Sequence, residues 1–81
     1  MRSGVKAAGY ALLRKELISA RESRGLTQVE LARALGRTQS FVSKYELGER
    51  RLDVLDYVLV CRHLRVDGGA LLKVLEGSDA S

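Results

Sequence analysis

Apolar residues recur along this chain at helical rather than strand spacing. Leu13, Leu17 and Ala20 stand at i, i+4 and i+7, which at about 100° per residue puts them on one face of a helix. The segment around them is rich in Ala, Leu, Arg and Glu and is followed by Gly25, so it predicts a first helix over Tyr10–Arg24. Leu31, Ala32 and Leu35 form a shorter stripe. Ahead of it, Thr27 and Glu30 make the capping-box pattern T-x-x-E, which starts a second helix near Gln28. Gly36 ends it after about two turns by supplying a left-handed residue. Thr38 caps a third helix that runs to Leu47 and stops at Gly48. Asp53 caps a fourth through Leu64, with Leu55, Val58, Leu59 and Leu64 as its expected inward stripe. Asp67 caps a last one carrying Leu71, Leu72 and Leu75. The expected fold is all-α, with five helices and no strand. Proline is absent, so the connections are expected to rest on Gly25, Gly36, Gly48 and the Gly68-Gly69 pair. Residues 1–9 are expected to form a flexible arm, 10–76 the domain and 77–81 a flexible tail.

The third helix has two unlike faces. Phe41, Val42 and Tyr45 cluster on one arc, while Gln39, Ser40, Ser43 and Lys44 lie on the other. The apolar arc must face the core. The polar arc lacks the Glu/Lys pairs at i, i+4 that support an ordinary solvated helix. Its groups suit the major groove: glutamine can bond two positions of an adenine edge, lysine can reach guanine or phosphate, and serine lets the backbone approach. A merely solvated face is the competing reading. Two short helices joined by a glycine-containing turn, the second polar on its outer side, have the layout of a helix-turn-helix.

The wider pattern narrows the choice. Gln28, Ala32, Gly36 and Gln39, followed by the run Val42-Ser43-Lys44-Tyr45-Glu46-Leu47-Gly48-Glu49-Arg50-Arg51, resemble the Cro/C1-type (XRE-like) helix-turn-helix family of phage repressors and bacterial transcriptional regulators. The resemblance extends from about Leu17 to Leu72 and implies a five-helix, lambda-repressor-like DNA-binding domain whose helix-turn-helix is helices 2 and 3. It further implies that Gln39, Ser40 and Lys44 touch base edges, with Ser43 on the same arc. Gln28 is expected at a phosphate and as a brace for Gln39. Arg37, Thr38, Arg50 and Arg51 are placed by resemblance and charge on the DNA backbone. Arg21 and Glu46 match positions that form a partly buried ion pair between helix 1 and the recognition helix; a direct DNA contact is the other reading for Arg21. Phe41 is open between core and a thymine methyl.

Composition bounds the rest. With 81 residues, 46% hydrophobic and 30% charged, the chain supports one small core, which places its function on its surface. Net charge is +4, unevenly spread: residues 1–20 and 21–51 each carry +3, and residues 52–81 carry −2. Positive charge thus gathers where the DNA face is expected. No apolar run approaches a membrane span and the N-terminus lacks an apolar signal core, so no membrane association and a cytoplasmic location are expected. Cys61 is single and lies in an apolar run, which fits a buried small hydrophobe. The lone His63 has no second histidine, cysteine cluster or phosphate-cradling glycine loop beside it, so no enzyme activity, metal or cofactor is expected. So short a chain also leaves little room for a pocket of about 300 Å³, so no small-molecule ligand is expected.

One small domain presents few base readers, and double-stranded DNA read as a palindromic operator by a homodimer follows. The expected role is transcriptional repression. Leu71, Leu72, Val74 and Leu75 cannot all face inward from one short helix, and that surplus favours a contact between subunits; the last helix, helix 1 or assembly only on DNA are the open routes to it. The alternative is an antitoxin or protein-interaction module that binds a small protein partner.

Overall fold

Side chains at the helix ends decide where the elements begin and stop. A computed structural model describes residues 3–80, with side chains described for residues 8–77. It contains α1 (Ser3–Ser23), α2 (Gln28–Leu35), α3 (Gln39–Leu47), α4 (Val54–Leu64) and α5 (Gly68–Ala80), with no strand among the described residues. Thr27 accepts from the Glu30 amide at 3.0 Å, and the Glu30 carboxylate accepts from the Thr27 amide at 2.9 Å, which completes the capping box. Thr38, Asp53 and Asp67 each take a backbone amide three residues on. Gly48 is at φ 86°, in the left-handed region that favours glycine.

Three expectations change. α1 is longer than the expected Tyr10–Arg24 helix, starting at Ser3, and α5 continues to Ala80, while residues 1, 2 and 81 lie outside the described residues. Lys6, Ala7 and Ala8 favour helix, α1 and α5 pack on each other, and Gly9 is buried. Gly68 and Gly69 form no turn; they open α5. Gly68 fits there because Tyr57 and Cys61 stand 3.3 and 3.4 Å from where its Cβ would be, and its carbonyl accepts from the Tyr57 hydroxyl at 2.7 Å. The turn before it is made by Arg65, a non-glycine at φ 57°, while Arg24 from the end of α1 donates to the Leu64 carbonyl at 2.7 Å.

The third change is the rotation of α4. The expected stripe of Leu55, Val58, Leu59 and Leu64 holds only in part: Leu64 is buried and Leu59 is half-buried against the core, but Leu55 is 79% exposed and Val58 45%. Asp56, Val60 and Cys61 join Leu64 in the interior. This helix is apolar on nearly every side, so periodicity cannot set its phase. Polar anchors do so, because Asp56 reaches Arg37 and Arg50, and Tyr57 reaches Gly68.

The core sits where α1, α2, α3 and α4 meet. Leu17, Leu31, Val42 and Val60 are fully buried there, each contributing about 1.5–3 kcal/mol. Leu71 closes the α5 side, Leu75 is half-buried, and Leu72 and Val74 remain about half exposed. A surface groove of about 420 Å³ opens between Tyr10, Leu52, Tyr57 and Leu75, so the expectation that so small a domain lacks such space does not hold.

One charged link crosses this core's edge. Arg21 of α1 donates to both carboxylate oxygens of Glu46 at the end of α3, at 2.7 and 3.1 Å, and to the Leu26 carbonyl at 2.6 Å. The two side chains are 12% and 5% exposed. Hydrogen bonding to Glu46 raises the Arg21 pKa above its ordinary value. Arg21→Ala strands a buried carboxylate and is expected to cost about 3–5 kcal/mol, which for a domain of this size lowers the melting temperature by more than about 10 °C. Thermal denaturation followed by circular dichroism checks this, and an unchanged midpoint contradicts it. Tyr45 poses the converse case: its hydroxyl is buried with no hydrogen-bond partner among the described residues. Tyr45→Phe removes an uncompensated polar group and is expected to leave the midpoint unchanged or raise it. A loss of about 1 kcal/mol or more in urea titration contradicts that account.

Candidate nucleic-acid interface

The α2–α3 turn is built from few residues. Gly36 adopts φ 70°, Arg37 returns its amide to the Ala32 carbonyl at 2.9 Å, and Thr38 caps α3. This fixes the angle at which α3 leaves α2. Phe41, Val42, Tyr45 and Glu46 are buried, whereas Gln39, Ser40 and Lys44 are exposed and Ser43 is half-exposed. The predicted apolar and polar arcs therefore occupy opposite sides of the helix. Phe41 is 6% exposed and meets Tyr45 edge to face, with ring centroids 5.6 Å apart, so it belongs to the core.

A chain of hydrogen bonds leads from the buried ion pair to the start of α3. Glu46 Oε1, already bonded to Arg21, also accepts from Gln28 Nε2 at 2.9 Å. A carboxylate can only accept, so the amide nitrogen of Gln28 must face it and the amide oxygen must face away. That oxygen accepts from Gln39 Nε2 at 3.2 Å. Gln39 is thereby left with its own amide oxygen and one N–H free on the exposed arc. This is the donor and acceptor pair that reads an adenine edge.

A second group lies beside it. Arg37, Thr38, Ser40, Lys44 and Arg50 line one open notch next to the start of α3. The Arg37 guanidinium lies 4.0 Å from the Phe41 ring centre and bonds Asp56 Oδ1 at 2.8 Å; that of Arg50 lies 5.0 Å from the same ring and 3.5 Å from Asp56 Oδ2. Arg51 does not join them. It stacks 4.8 Å from the Tyr10 ring and lines the groove between α1 and α5. Asp56 itself was not singled out by the sequence reading, although an acidic residue inside the apolar run Val54–Val60 is a visible anomaly.

Cys61 and His63 both lie on α4, away from the polar arc of α3. Cys61 is buried, and desolvation raises its thiol pKa, which makes it a poor nucleophile. His63 Nδ1 lies 3.1 Å from the Leu59 carbonyl on the exposed side of α4. No group of three or more metal-ligating side chains occurs among the described residues, and no helix there is long and apolar enough to cross a membrane.

Residues 17–71 match the family model described as helix-turn-helix. No curated protein matches the chain. Among solved structures, an XRE-family like protein from Pseudomonas syringae pv. tomato str. DC3000 is similar, with 48% sequence identity, a TM-score of 0.86 and coverage of 93% of this chain and 92% of that one. A family match across most of the chain, on a fold that presents a capped and polar third helix, makes the chain a member of the Cro/C1-type (XRE) helix-turn-helix family of DNA-binding transcription regulators.

Proposed function

We propose that the chain is a sequence-specific repressor that binds a palindromic operator in double-stranded DNA as a homodimer. The observation that carries this reading is the chain from Arg21 through Glu46 and Gln28 to Gln39, which orients a base-reading amide before DNA arrives. Gln39, Ser40, Ser43 and Lys44 read base edges, Gln39 most specifically. Thr38, Arg37 and Arg50 hold the backbone, and Gln28 contacts phosphate while bracing Gln39. Arg51, held over Tyr10, is assigned no more than a peripheral phosphate contact. Occupying the operator is enough to block transcription and asks for no further surface.

Exposed apolar side chains support the dimer. Val54 and Leu55 of α4 are 76% and 79% exposed, and Val58 and Leu72 are about half exposed. Val54, Val58 and Leu72 line one shallow surface on α4 and α5, the two helices that carry none of the proposed readers. Half-sites lie about 34 Å apart. A domain measuring 37 × 23 × 21 Å is wide enough to meet its copy across that spacing.

Selection of bound sequences from a random DNA pool tests the reading, with two inverted half-sites one helical turn apart as the expected result and no enrichment as the refuting one. On the selected operator, Gln39→Ala is expected to cost about 1–3 kcal/mol and to relax preference at one base pair. Arg50→Ala is expected to weaken operator and random DNA alike and to flatten the slope of log affinity against log salt by no more than about 0.9. Fluorescence anisotropy over a salt series separates the two. Equal losses for both variants on both DNAs contradict the division of labour.

A further inference from the structure

Asp56 is out of place in a surface meant for a polyanion. Its side chain is 11% exposed, it sits in the first turn of α4, and it contributes negative charge beside the notch where phosphate is expected. Electrostatics alone favours its removal. Its contacts give the reason for its presence. One carboxylate oxygen binds Arg37 from the α2–α3 turn and the other binds Arg50 from the loop after α3, so two cations on either side of the recognition helix are tied to one point. Both also lie against the ring of Phe41. Each guanidinium carries five N–H donors in a planar fork, and the bond to Asp56 uses one, leaving the rest for an incoming anion. With Lys44 on the same notch, the group keeps net positive charge after Asp56 is counted.

We propose that Asp56 is a positioning residue for DNA binding: it holds Arg37 and Arg50 as a preassembled clamp on a single backbone phosphate beside α3. The inference rests on the DNA-binding reading above and says how that surface is organised. A free arginine loses considerable rotamer freedom when it binds phosphate; a pair already bonded and stacked has lost it during folding. The clamp also supplies register, because Asp56 anchors it to α4 and Phe41 to α3, and the recognition helix then sits at a fixed distance from the bound phosphate.

The test compares wild type, Asp56→Asn, the double variant Arg37→Gln/Arg50→Gln, and the triple variant on the selected operator and on a random duplex over a salt series. Folding is checked by circular dichroism. Asp56→Asn keeps the shape and removes the charge. It is expected to weaken binding about tenfold, with a log–log salt slope shallower by about 0.9, the value for one phosphate. In the arginine-less background it is expected to change nothing further. Binding as tight as wild type or tighter overturns the inference, since loss of a negative charge alone predicts that result. An equal loss without the arginines also overturns it, because Asp56 then acts through the fold. Should Asp56→Asn fail to fold, the double variant decides: a slope loss of about 0.9 supports a shared phosphate, and about 1.8 overturns it. A wild-type chain that does not distinguish operator from random DNA marks failure of the proposed function instead, and the clamp is then read on random DNA, where phosphate contacts persist.

Discussion

The ion pair between Arg21 and Glu46 is the constraint on which the recognition surface depends. Two charges taken out of water need close geometry and further hydrogen bonds to offset their desolvation. Here the further bonds are the useful part. Arg21 also holds the Leu26 carbonyl at the entry to α2, and Glu46 also holds Gln28 in the first turn of α2. A single buried pair thus joins α1, α2 and α3 at one point, and its unused acceptor capacity fixes which way a glutamine amide faces. A hydrophobic pair of similar volume could give equal stability. It could not orient Gln28, and through it Gln39.

The same logic recurs on the other side of α3. A buried acid on one helix holds hydrogen-bond donors from elsewhere, and the outermost of those donors lie toward the surface. Glu46 does this through Arg21 and Gln28, and Asp56 does it through Arg37 and Arg50. Between the two sites, Phe41, Val42 and Tyr45 press α3 onto the core. The helix is therefore set in depth by packing and in rotation by charge. Asp56 has a second effect, because turning this residue inward turns Val54 and Leu55 outward. The exposed apolar face of α4 is in this sense a consequence of the polar anchor.

Features governed by chemistry within three or four residues were legible in the sequence. The capping box at Thr27 and Glu30, the caps at Thr38, Asp53 and Asp67, and the stops at Gly36 and Gly48 belong to this class. So does the division of α3 into two arcs, because Phe41, Val42 and Tyr45 differ sharply from their neighbours. The phase of α4 was not legible: its apolar residues surround the helix, and the partners of Asp56 lie 19 and 6 residues away. α1 and α5 also pack on each other, a contact that no local pattern reports. Within the site, the placement of Arg21 beside Glu46 came from family resemblance, and nothing local separated Arg50, which faces the notch, from Arg51, which faces Tyr10.

The central claim is that the buried carboxylate of Glu46 governs what Gln39 reads, and Glu46→Gln probes it directly. A glutamine at this position has one accepting oxygen, which can serve Arg21 or Gln28 but no longer matches the three donors that the carboxylate now holds. The decisive measurement is the base preference of the folded variant, obtained by sequencing DNA selected from a random pool and compared with that of the wild type. The account predicts that preference flattens at the base pair where Gln39→Ala relaxes it and persists at the others. A preference profile identical to that of the wild type contradicts it.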